Sequence, residues 1–281
     1  MKKVLILGCK GMAGHVIYEA LPLLGEYDVY GIARNVEQTN RVFNLDVSNL
    51  EALKEIVDLQ FDVVINCIGV LNKDAEDNPH KAIWFNSYFP HYLVELSKNT
   101  ETKIIHISTD CVFKGEKGRY AETDPKDGEG IYAESKGLGE INNTKDLTIR
   151  TSIIGPELNL NGIGLFNWFM QQRGEIRGYT SAFWSGVTTL ELAKAIDFAI
   201  QNPICGLVHL TNGIEINKFD LISLFKEIWN RTDISIIAHE GKVVNKSLRK
   251  SEVFNYQVPS YQEMLFEQFN WMKESSNTYS Y

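Results

Sequence analysis

The sequence has little that would suit it to a membrane, to nucleic acid or to a metal ion. Its apolar runs fall well short of the roughly 20 residues that a membrane-spanning helix needs. Its 36 acidic residues outnumber its 28 basic ones, and the net charge of −8 argues against a basic surface for a phosphate backbone. The six histidines lack the H-x-x-x-H and H-E-x-x-H spacings of metal sites. We therefore predict no nucleic-acid partner, no membrane association and no catalytic metal.

Cysteine is also scarce, and its spacing excludes the usual metal and redox motifs. Cys9, Cys67, Cys111 and Cys205 are far apart, so there is no Cys-x-x-Cys pair. We expect free thiols in a reducing cytoplasm. The apolar run 4–9 after two lysines resembles an export signal, but it is shorter than the about 7–15 residues of such a segment. It is better interpreted as a first buried strand, and we expect a cytoplasmic protein.

The composition is that of an ordinary globular protein, with 44% hydrophobic and 23% charged residues among 281. In the first half, short β-branched runs alternate with longer amphipathic runs. Strands are predicted at 4–7, 29–33, 62–66, 103–107 and 147–149, and helices at 12–24, 50–59 and 79–99. This alternation predicts βαβ units and a parallel sheet covered by helices on both faces, which is an α/β fold.

The second half of the sequence is less regular. Helices are predicted at 190–201, 217–229 and 260–272, and a strand at 207–210. Because no linker rich in Pro, Gly or Ser divides the chain, we predict a first domain over 1–152 and a second lobe over 153–281 packed on it. Segments near 190–230 are expected to return to the first domain. The polar tail 275–281 is expected to fray.

Three glycines occupy the predicted turn between the first strand and the first helix. Gly8, Gly11 and Gly14 permit a tight turn and a close approach of the backbone to a pyrophosphate. The helix begins at Met12, which we include among the binding residues, and its first N–H groups would face the phosphates. A tight turn without a ligand is the alternative. The position of the motif at a strand-to-helix junction favours dinucleotide binding.

The end of the second predicted strand indicates which dinucleotide is bound. An acidic residue there would hold the ribose 2′-hydroxyl of NAD, whereas an arginine accommodates the 2′-phosphate of NADP. The run 30–35 has no acidic residue, and Arg34 is a candidate phosphate ligand. We predict NADPH as the cofactor. The alternatives are NADH and an Arg34 that is simply exposed to solvent.

A tyrosine and a lysine four residues apart form the candidate catalytic pair. On a helix, Tyr132 and Lys136 would share one face, although this spacing also arises by chance. Upstream, the apolar run 104–107 leads into hydroxyl residues, and open α/β sheets place their sites at such strand ends. The lysine ammonium would lower the pKa of Tyr132 and suit it to donating a proton to a carbonyl oxygen. The Thr109 hydroxyl would hydrogen-bond the same oxygen.

These residues belong to an ordered set that resembles the extended short-chain dehydrogenases/reductases, and within them the dTDP-4-dehydrorhamnose reductase family. The matching residues are Gly8, Gly11, Gly14, Asp46, Val47, Asn66, Cys67, Ile68, Gly69, Ala75, Glu76, Asn86, 108–113, 120–124, Tyr132, Lys136, Glu140 and 150–152. The resemblance is close in the first half of the chain and looser in the second.

The resemblance implies a Rossmann-type doubly wound parallel sheet with a small C-terminal substrate-binding lobe. Thr109, Tyr132 and Lys136 would be the catalytic triad. The implied cofactor contacts are Asp46 and Val47 at the adenine, Cys67, Ile68 and Gly69 along the dinucleotide, Asn86, and Lys136 at the nicotinamide ribose. The implied reaction is the NADPH-dependent reduction of the 4-keto group of a nucleotide-activated 4-keto-6-deoxy sugar, in deoxysugar or surface-polysaccharide synthesis.

The sequence departs from the family pattern where the substrate would bind. Cys111 stands where family members often have tyrosine, and 181–189 replaces the family's Asp-Gln-x-Gly-x-Pro-Thr segment. The candidate substrate contacts are Val70, Cys111, Trp184 and Arg249. A UDP-linked 2-acetamido-2,6-dideoxy-4-ketohexose is therefore an alternative substrate. A non-catalytic, dinucleotide-binding regulatory subunit is the alternative of another class, and a homodimer is left open.

Overall fold

A seven-stranded parallel sheet forms the centre of the computed structural model, which describes residues 1–159, 161–275, 277, 279 and 281. The strands are β1 (Lys2–Leu7), β2 (Tyr27–Ala33), β3 (Val42–Asn44), β4 (Val63–Asn66), β5 (Lys103–Thr109), β6 (Leu147–Thr151), β7 (Ile153–Ile154), β8 (Gly174–Tyr179), β9 (Ala182–Trp184), β10 (Val187–Thr188), β11 (Gly206–His209), β12 (Ile216–Asn217), β13 (Ile234–His239) and β14 (Val244–Asn245). The helices are α1 (Met12–Leu24), α2 (Leu50–Val57), α3 (Asn72–Asp77), α4 (Pro79–Ala82), α5 (Phe89–Ser97), α6 (Ile131–Leu138), α7 (Leu165–Met170), α8 (Thr189–Gln201), α9 (Lys218–Ile228) and α10 (Tyr261–Glu274). None of the helices in these ranges is long and apolar enough to cross a bilayer.

The central sheet has the strand order β11-β6-β5-β4-β1-β2-β3, and every neighbouring pair is parallel. The order reverses between β1 and β4. The chain first adds β2 and β3 on one side of β1, and it then adds β4, β5, β6 and β11 on the other side. In such open sheets, ligands bind at the carboxyl ends of the strands on either side of the reversal. This architecture confirms the predicted Rossmann-type α/β fold.

Helices cover both faces of the sheet and bury an apolar cluster on each. Val4 and Ile6 pack with α1 and α8 on one face, whereas Leu5 and Leu7 pack with α2 and α5 on the other. All four side chains are fully buried, and each gains roughly 1.5–3 kcal/mol from leaving water. Burial on both faces explains why the central strands are continuous apolar runs in the sequence.

The predicted helix 79–99 is present but is not a regular α-helix. Its central segment, Ile83–Tyr88, is π-helical. Pro90 follows this segment and has no N–H group to donate to the carbonyl of Asn86, four residues earlier. The side-chain amide of Asn86 instead holds the backbone of Val70, with hydrogen bonds of 2.8 Å to its N–H and 2.9 Å to its carbonyl.

The second half of the chain contributes to the central sheet and also forms smaller sheets. β11 pairs with β6 at the sheet edge, and α8 shares a buried cluster with α1. Outside the central sheet, β8 pairs with β13, and β9 lies between β12 and β14. The division of the chain at residue 152 stays a prediction.

The tail that we expected to fray makes contacts at the residues that the structure describes there, and the fraying itself stays a prediction. The Tyr279 hydroxyl lies 3.0 Å from Nε2 of His15, and the Tyr281 hydroxyl accepts a 2.9 Å hydrogen bond from the N–H of Glu157. The two tyrosine rings give the tail apolar surface to bury, although its composition is mostly polar. Positions 276, 278 and 280 lie outside the described residues.

Candidate active site

The turn after β1 has a geometry that requires glycine. Gly8 has a φ of +81°, in the left-handed region, and a Cβ atom on Gly14 would overlap the carbonyl group of Gly8. α1 begins directly after Gly11, and no side chain caps its N-terminus. The N–H groups of its first turn are therefore available to a phosphate. This arrangement fits the pyrophosphate of a dinucleotide.

A cleft of about 370 Å³ runs along the carboxyl ends of β1, β2 and β4, where the strand order reverses. Its lining includes the predicted cofactor residues Gly8, Gly11, Arg34, Asp46, Val47, Cys67, Ile68 and Gly69. Val70, which we expected at the substrate, also lines this cleft. The structure thus brings together the residues that follow four separate strands, β1, β2, β3 and β4.

Arg34 lies at the open rim of the cleft, with 60% of its side chain exposed. Its guanidinium lies 3.3 Å from the carboxylate of Asp46, which also accepts hydrogen bonds from the N–H and the hydroxyl of Ser48. Burial opposes the ionisation of Asp46, but the hydrogen bonds from Ser48 and Arg34 outweigh it and lower the Asp46 pKa. One N–H group thus tethers Arg34 at the cleft, and the guanidinium keeps further donors for a phosphate.

A second cavity, of about 390 Å³, adjoins the cleft at the carboxyl ends of β5 and β6. The two share Gly11, Cys67, Ile68 and Gly69 in their linings. The predicted residues that line the second cavity are Met12, Thr109, Cys111, Tyr132, Lys136 and Trp184. The structure therefore places the three candidate catalytic residues and two candidate substrate contacts beside the cofactor cleft.

The candidate catalytic side chains come from β5 and α6. Thr109 ends β5, and its hydroxyl accepts a 3.1 Å hydrogen bond from the N–H of Cys111, which fixes the turn that follows. Tyr132 and Lys136 lie one turn apart on α6. Lys136 is 4% exposed, and its Nζ atom donates to the carbonyl of Ile107 at 2.7 Å. Both elements thus present their polar groups to the same cavity.

The expectation that Lys136 lowers the pKa of Tyr132 is wrong for the protein without ligands. Burial raises the Tyr132 pKa, the neighbouring Cys111 raises it further, and the Thr109 hydroxyl offsets only part of this rise. Burial also lowers the pKa of Lys136 to about 8, against the opposing charge of Glu140. At the pH where the phenol would ionise, Lys136 is therefore neutral and supplies no positive charge.

A second lysine in this cavity, Lys218, was not predicted from the sequence. It is the first residue of α9, and its Nζ atom lies 5.3 Å from the centre of the Trp184 ring. Burial lowers its pKa to about 8, and the opposite charge of Asp110 works against this shift. Its position next to a predicted helix start was the only signal in the sequence. No side chain or carbonyl among the described residues accepts a hydrogen bond from it.

The remaining wall of the cavity combines a fixed indole with two carboxyl groups. Trp184 is 3% exposed, and its indole N–H donates to the hydroxyl of Ser152 at 2.8 Å. Asp110 and Glu157 also line the cavity, and burial raises the pKa of both. Glu157, which comes from the second half of the chain, was not predicted from the sequence.

Three predicted site residues, Gly14, Asn86 and Arg249, lie outside the linings of both cavities. Gly14 packs against the carbonyl group of Gly8 in the turn. Asn86 is fully buried, and its amide also donates to the hydroxyl of Ser135 at 3.0 Å. It therefore holds the turn after β4 against α6 and does not reach the cofactor cleft. Arg249 is exposed, and its backbone N–H pairs with the carbonyl of Tyr120. The contact of Arg249 with a substrate stays a prediction.

A buried ion pair anchors the segment that follows α6. The guanidinium of Arg150 on β6 donates to both carboxylate oxygens of Glu140, at 2.8 and 2.7 Å. Ser108 of β5 donates to the same carboxylate at 2.8 Å. Burial alone would raise the Glu140 pKa, but the hydrogen bonds and charge of Arg150 lower it. The pair ties the helix that carries Tyr132 to two strands of the central sheet.

The reversed parallel sheet, the glycine turn and the cavity that holds Thr109, Tyr132 and Lys136 together define an extended short-chain dehydrogenase/reductase. Comparison with known sequences gives the family. The chain belongs to the RmlD substrate binding domain family, whose sequence model matches residues 1–268. This result confirms the resemblance found in the sequence.

Individual relatives resemble the chain over most of its length. The chain is 28% identical over 219 residues to the spore coat polysaccharide biosynthesis protein SpsK of Bacillus subtilis (strain 168). The aligned region covers 75% of this chain and 74% of that protein. It is 26% identical over 257 residues to the dTDP-4-dehydrorhamnose reductase of Salmonella typhimurium (strain LT2), covering 87% and 84%. The crystal structure of dTDP-4-dehydrorhamnose reductase from Bacillus anthracis in complex with NADP has the same fold, with a TM-score of 0.79 and 23% identity over 96% of this chain and 99% of that one.

Proposed function

We propose that this chain reduces the 4-keto group of a nucleotide-activated 4-keto-6-deoxy sugar with NADPH, in the cytoplasm and in deoxysugar or surface-polysaccharide synthesis. One observation carries the proposal: Thr109, Tyr132 and Lys136 line a cavity that adjoins the glycine-lined cleft. Family membership over residues 1–268 supports it. The names of two relatives, a spore coat polysaccharide biosynthesis protein and a dTDP-4-dehydrorhamnose reductase, support the substrate class.

The residues around the cleft fit NADPH. Gly8 and Gly11 leave room for a pyrophosphate, and the uncapped start of α1 supplies N–H donors to it. The guanidinium of Arg34 suits a ribose 2′-phosphate, and Asp46 and Val47 form the wall assigned to the adenine. When bound, this cofactor supplies a hydride to the substrate carbon. NADH is the alternative cofactor.

Tyr132 supplies the proton that the reduction consumes. Because burial raises its pKa, the phenol is protonated at neutral pH and holds a proton ready for the substrate oxygen. The hydroxyl of Thr109 hydrogen-bonds the same oxygen and stabilises the charge that develops on it. Lys136 is mostly an ammonium below its pKa of about 8, so its charge favours the phenolate that the transfer leaves behind.

Lys218 and Trp184 provide binding groups on another wall of the cavity. The ammonium of Lys218 has no hydrogen-bond acceptor among the described residues, so an anionic group of a ligand would complete its bonding. A nucleotide-activated sugar carries such a group in its diphosphate. The face of Trp184 offers apolar surface to a sugar ring or a base. We therefore assign Lys218 to the diphosphate and Trp184 to a stacking contact.

The function is tested by a paired assay. Purified protein and NADPH are mixed with a dTDP-4-keto-6-deoxyhexose or with a UDP-2-acetamido-4-keto-6-deoxyhexose, and the loss of reduced-nicotinamide absorbance and the product are measured. We expect oxidation with the dTDP sugar. Tyr132→Phe should slow turnover by about 10²-fold or more, as expected for the loss of a general acid. Tyr88→Phe, at an exposed position, should not.

The other outcomes of the assay separate the remaining proposals. The UDP-linked sugar is the second candidate, because Cys111, which lines the cavity, is smaller than the tyrosine that family members often have. Oxidation with that sugar alone would move the substrate assignment to it. Oxidation with neither sugar, together with NADPH binding, would contradict the enzyme and favour a regulatory subunit. We also propose a homodimer, which sedimentation of the purified protein tests.

A further inference from the structure

A buried histidine lies directly behind the candidate catalytic lysine and is not used by the mechanism above. His106 is in the middle of β5 and has no exposed surface. Its Nε2 atom lies 3.4 Å from Nζ of Lys136, and its Nδ1 atom lies 3.2 Å from the side-chain nitrogen of Asn66 on the neighbouring strand β4. The three side chains form a continuous buried row, so each proton in the row must have an acceptor.

The position of the imidazole proton follows from the hydrogen bonds of Asn66. The backbone N–H of Ile68, which is always a donor, points to the side-chain oxygen of Asn66 at 3.1 Å. The amide of Asn66 therefore turns its NH₂ group to His106, and Nδ1 of the imidazole must accept that hydrogen bond. A neutral imidazole has a single proton, which is then on Nε2 and faces Lys136.

The two protonation states of Lys136 differ in the hydrogen bonds that they can make with His106. A neutral amine has a lone pair that accepts the Nε2–H of His106, and its two protons remain for the carbonyl of Ile107, at 2.7 Å, and for the cavity. An ammonium has no lone pair, so its third N–H would face another donor. The hydrogen bonds of the row thus favour the amine over the ammonium.

We propose that His106 is a positioning residue for Lys136: held as its Nε2–H tautomer by Asn66, it donates to Nζ and stabilises the amine that forms when this lysine gives up a proton. The inference rests on the proposed function for its role in turnover. Tyr132 loses a proton to the substrate oxygen in each turnover. An N–H bond of Lys136 then breaks, and the proton passes through the cavity that both residues line to restore the O–H bond of Tyr132. The amine then takes its proton back from water.

The charges around the row are consistent with a neutral imidazole and a lysine that titrates readily. Burial and the charge of Lys136 hold the His106 pKa well below its usual value, and the more distant His91 adds to this. Lys136 is faced by Glu140 beyond its helix and by the thiol of Cys67 after β4, both of which favour the ammonium, but burial outweighs them. The lysine therefore changes its charge close to physiological pH.

The first test is a direct measurement of the tautomer in the unaltered protein. Nitrogen-15 NMR of protein labelled at histidine distinguishes a protonated Nε2 from a protonated Nδ1. We expect His106 to be neutral and protonated at Nε2 at pH 7. A proton on Nδ1, or on both nitrogens, would overturn the proposal without any variant being made.

The second test measures the titration of the Lys136 amino group. Carbon-13 NMR of the Cε atom of Lys136, assigned by its loss in Lys136→Met, reports the titration of Nζ without substrate or cofactor. In His106→Gln the side-chain oxygen can turn to the ammonium and accept from it, so the midpoint should rise by about one pH unit, the effect of one hydrogen bond. Ile105→Val, a change at a buried position on the same strand, is the control and should not shift it.

A third variant reverses the tautomer without altering the histidine. In Asn66→Asp the carboxylate accepts from Nδ1–H, which leaves Nε2 as an acceptor for the ammonium. The midpoint should rise again, and by more than in His106→Gln, because the negative charge of the carboxylate adds to the effect of the hydrogen bond. Unchanged midpoints in folded His106→Gln and Asn66→Asp would overturn the proposal. If the midpoints rise but neither sugar is reduced, the hydrogen-bond assignment holds and the proposed activity fails. If the enzyme is active, the alkaline limb of kcat should move up with the midpoint while KM stays the same.

Discussion

The Nζ atom of Lys218 lies 5.3 Å from the centre of the Trp184 ring, although the two residues are 34 positions apart in the sequence. The pairing of β9 with β12 brings them together, because Ile216, two residues before Lys218, lies opposite Trp184 in the antiparallel register. The second half of the chain thus adds a cation and an aromatic face to a cavity whose candidate catalytic groups come from β5 and α6. This pairing makes the cavity suited to a substrate that has both an anionic and an apolar part.

Replacing Lys218 should weaken substrate binding more than it slows chemistry. Lys218→Met removes the charge but keeps most of the apolar stem, so the folded structure should be retained. The loss of one charge-assisted hydrogen bond should raise KM for the nucleotide sugar by about 10- to 100-fold, with little change in kcat. Steady-state kinetics measure both values. Lys226→Met, on the same helix but outside the cavity lining, is the control. Equal KM values for the Lys218 variant and the unaltered protein would remove this lysine from the substrate site.

Replacing Arg34 should abolish the preference for NADPH. Arg34→Ala removes the guanidinium at the rim of the cleft, and we expect KM for NADPH to rise about tenfold or more. KM for NADH should hardly change, because that cofactor has no 2′-phosphate. Arg177→Ala, at an exposed position on β8, should leave both values unchanged. A variant that still prefers NADPH would show that another group selects the cofactor.

The sequence predicts the parts of the site that depend on local order in the chain. The glycine turn lies between one strand and one helix, so its ligand can be proposed from position alone. Tyr132 and Lys136 share a helix face, and the end of β5 lies at the carboxyl edge of the sheet, where a parallel fold places its sites. These relationships follow from the periodicity of single elements and from the rules of βαβ topology.

The errors come from properties that depend on the whole fold. The pKa of Tyr132 was expected to fall because a lysine is near, but burial is the larger effect and a sequence does not show it. Lys218 and Glu157 reach the cavity only through the packing of the second half of the chain. Arg249, which was predicted from its charge, is exposed and lies outside both cavity linings. Long-range packing decides which cations are buried beside a cavity and which are exposed.

The contribution of Lys136 to the stability of the protein should increase with pH above about 8, because this lysine is buried. Its folded-state pKa is lowered to about 8, whereas a lysine in an unfolded chain has a pKa of about 10.4. Between these values the unfolded state binds more protons than the folded state, so the free energy of unfolding rises with pH, by up to about 1.4 kcal/mol per unit for this group. Below pH 8 both states bind the proton, and this contribution no longer changes with pH.

The size of this contribution is obtained by comparison with Lys136→Met. Urea unfolding of both proteins at intervals from pH 7 to pH 9.5 removes the effects of the tyrosines and cysteines, which are common to the two. The difference between their unfolding free energies should be constant below pH 8 and should shift in favour of the unaltered protein above it. A difference that stays constant over the whole range would mean that Lys136 keeps an ordinary pKa.

The buried pair of Glu140 and Arg150 should matter more for stability than any exposed ion pair of the chain. Their side chains are only 3% and 2% exposed, and Arg150→Met would leave the Glu140 carboxylate buried without its main partner. We expect a loss of about 3–5 kcal/mol in the free energy of unfolding, the usual result of breaking a buried pair from one side.

The double variant Arg150→Met with Glu140→Gln should recover part of this loss, because the buried carboxylate of Glu140 is then replaced by a neutral amide. Lys54→Met, which breaks an exposed pair with Asp58, should have little effect. A small loss in Arg150→Met would show that Lys126, 3.3 Å from the same carboxylate, compensates for the missing guanidinium.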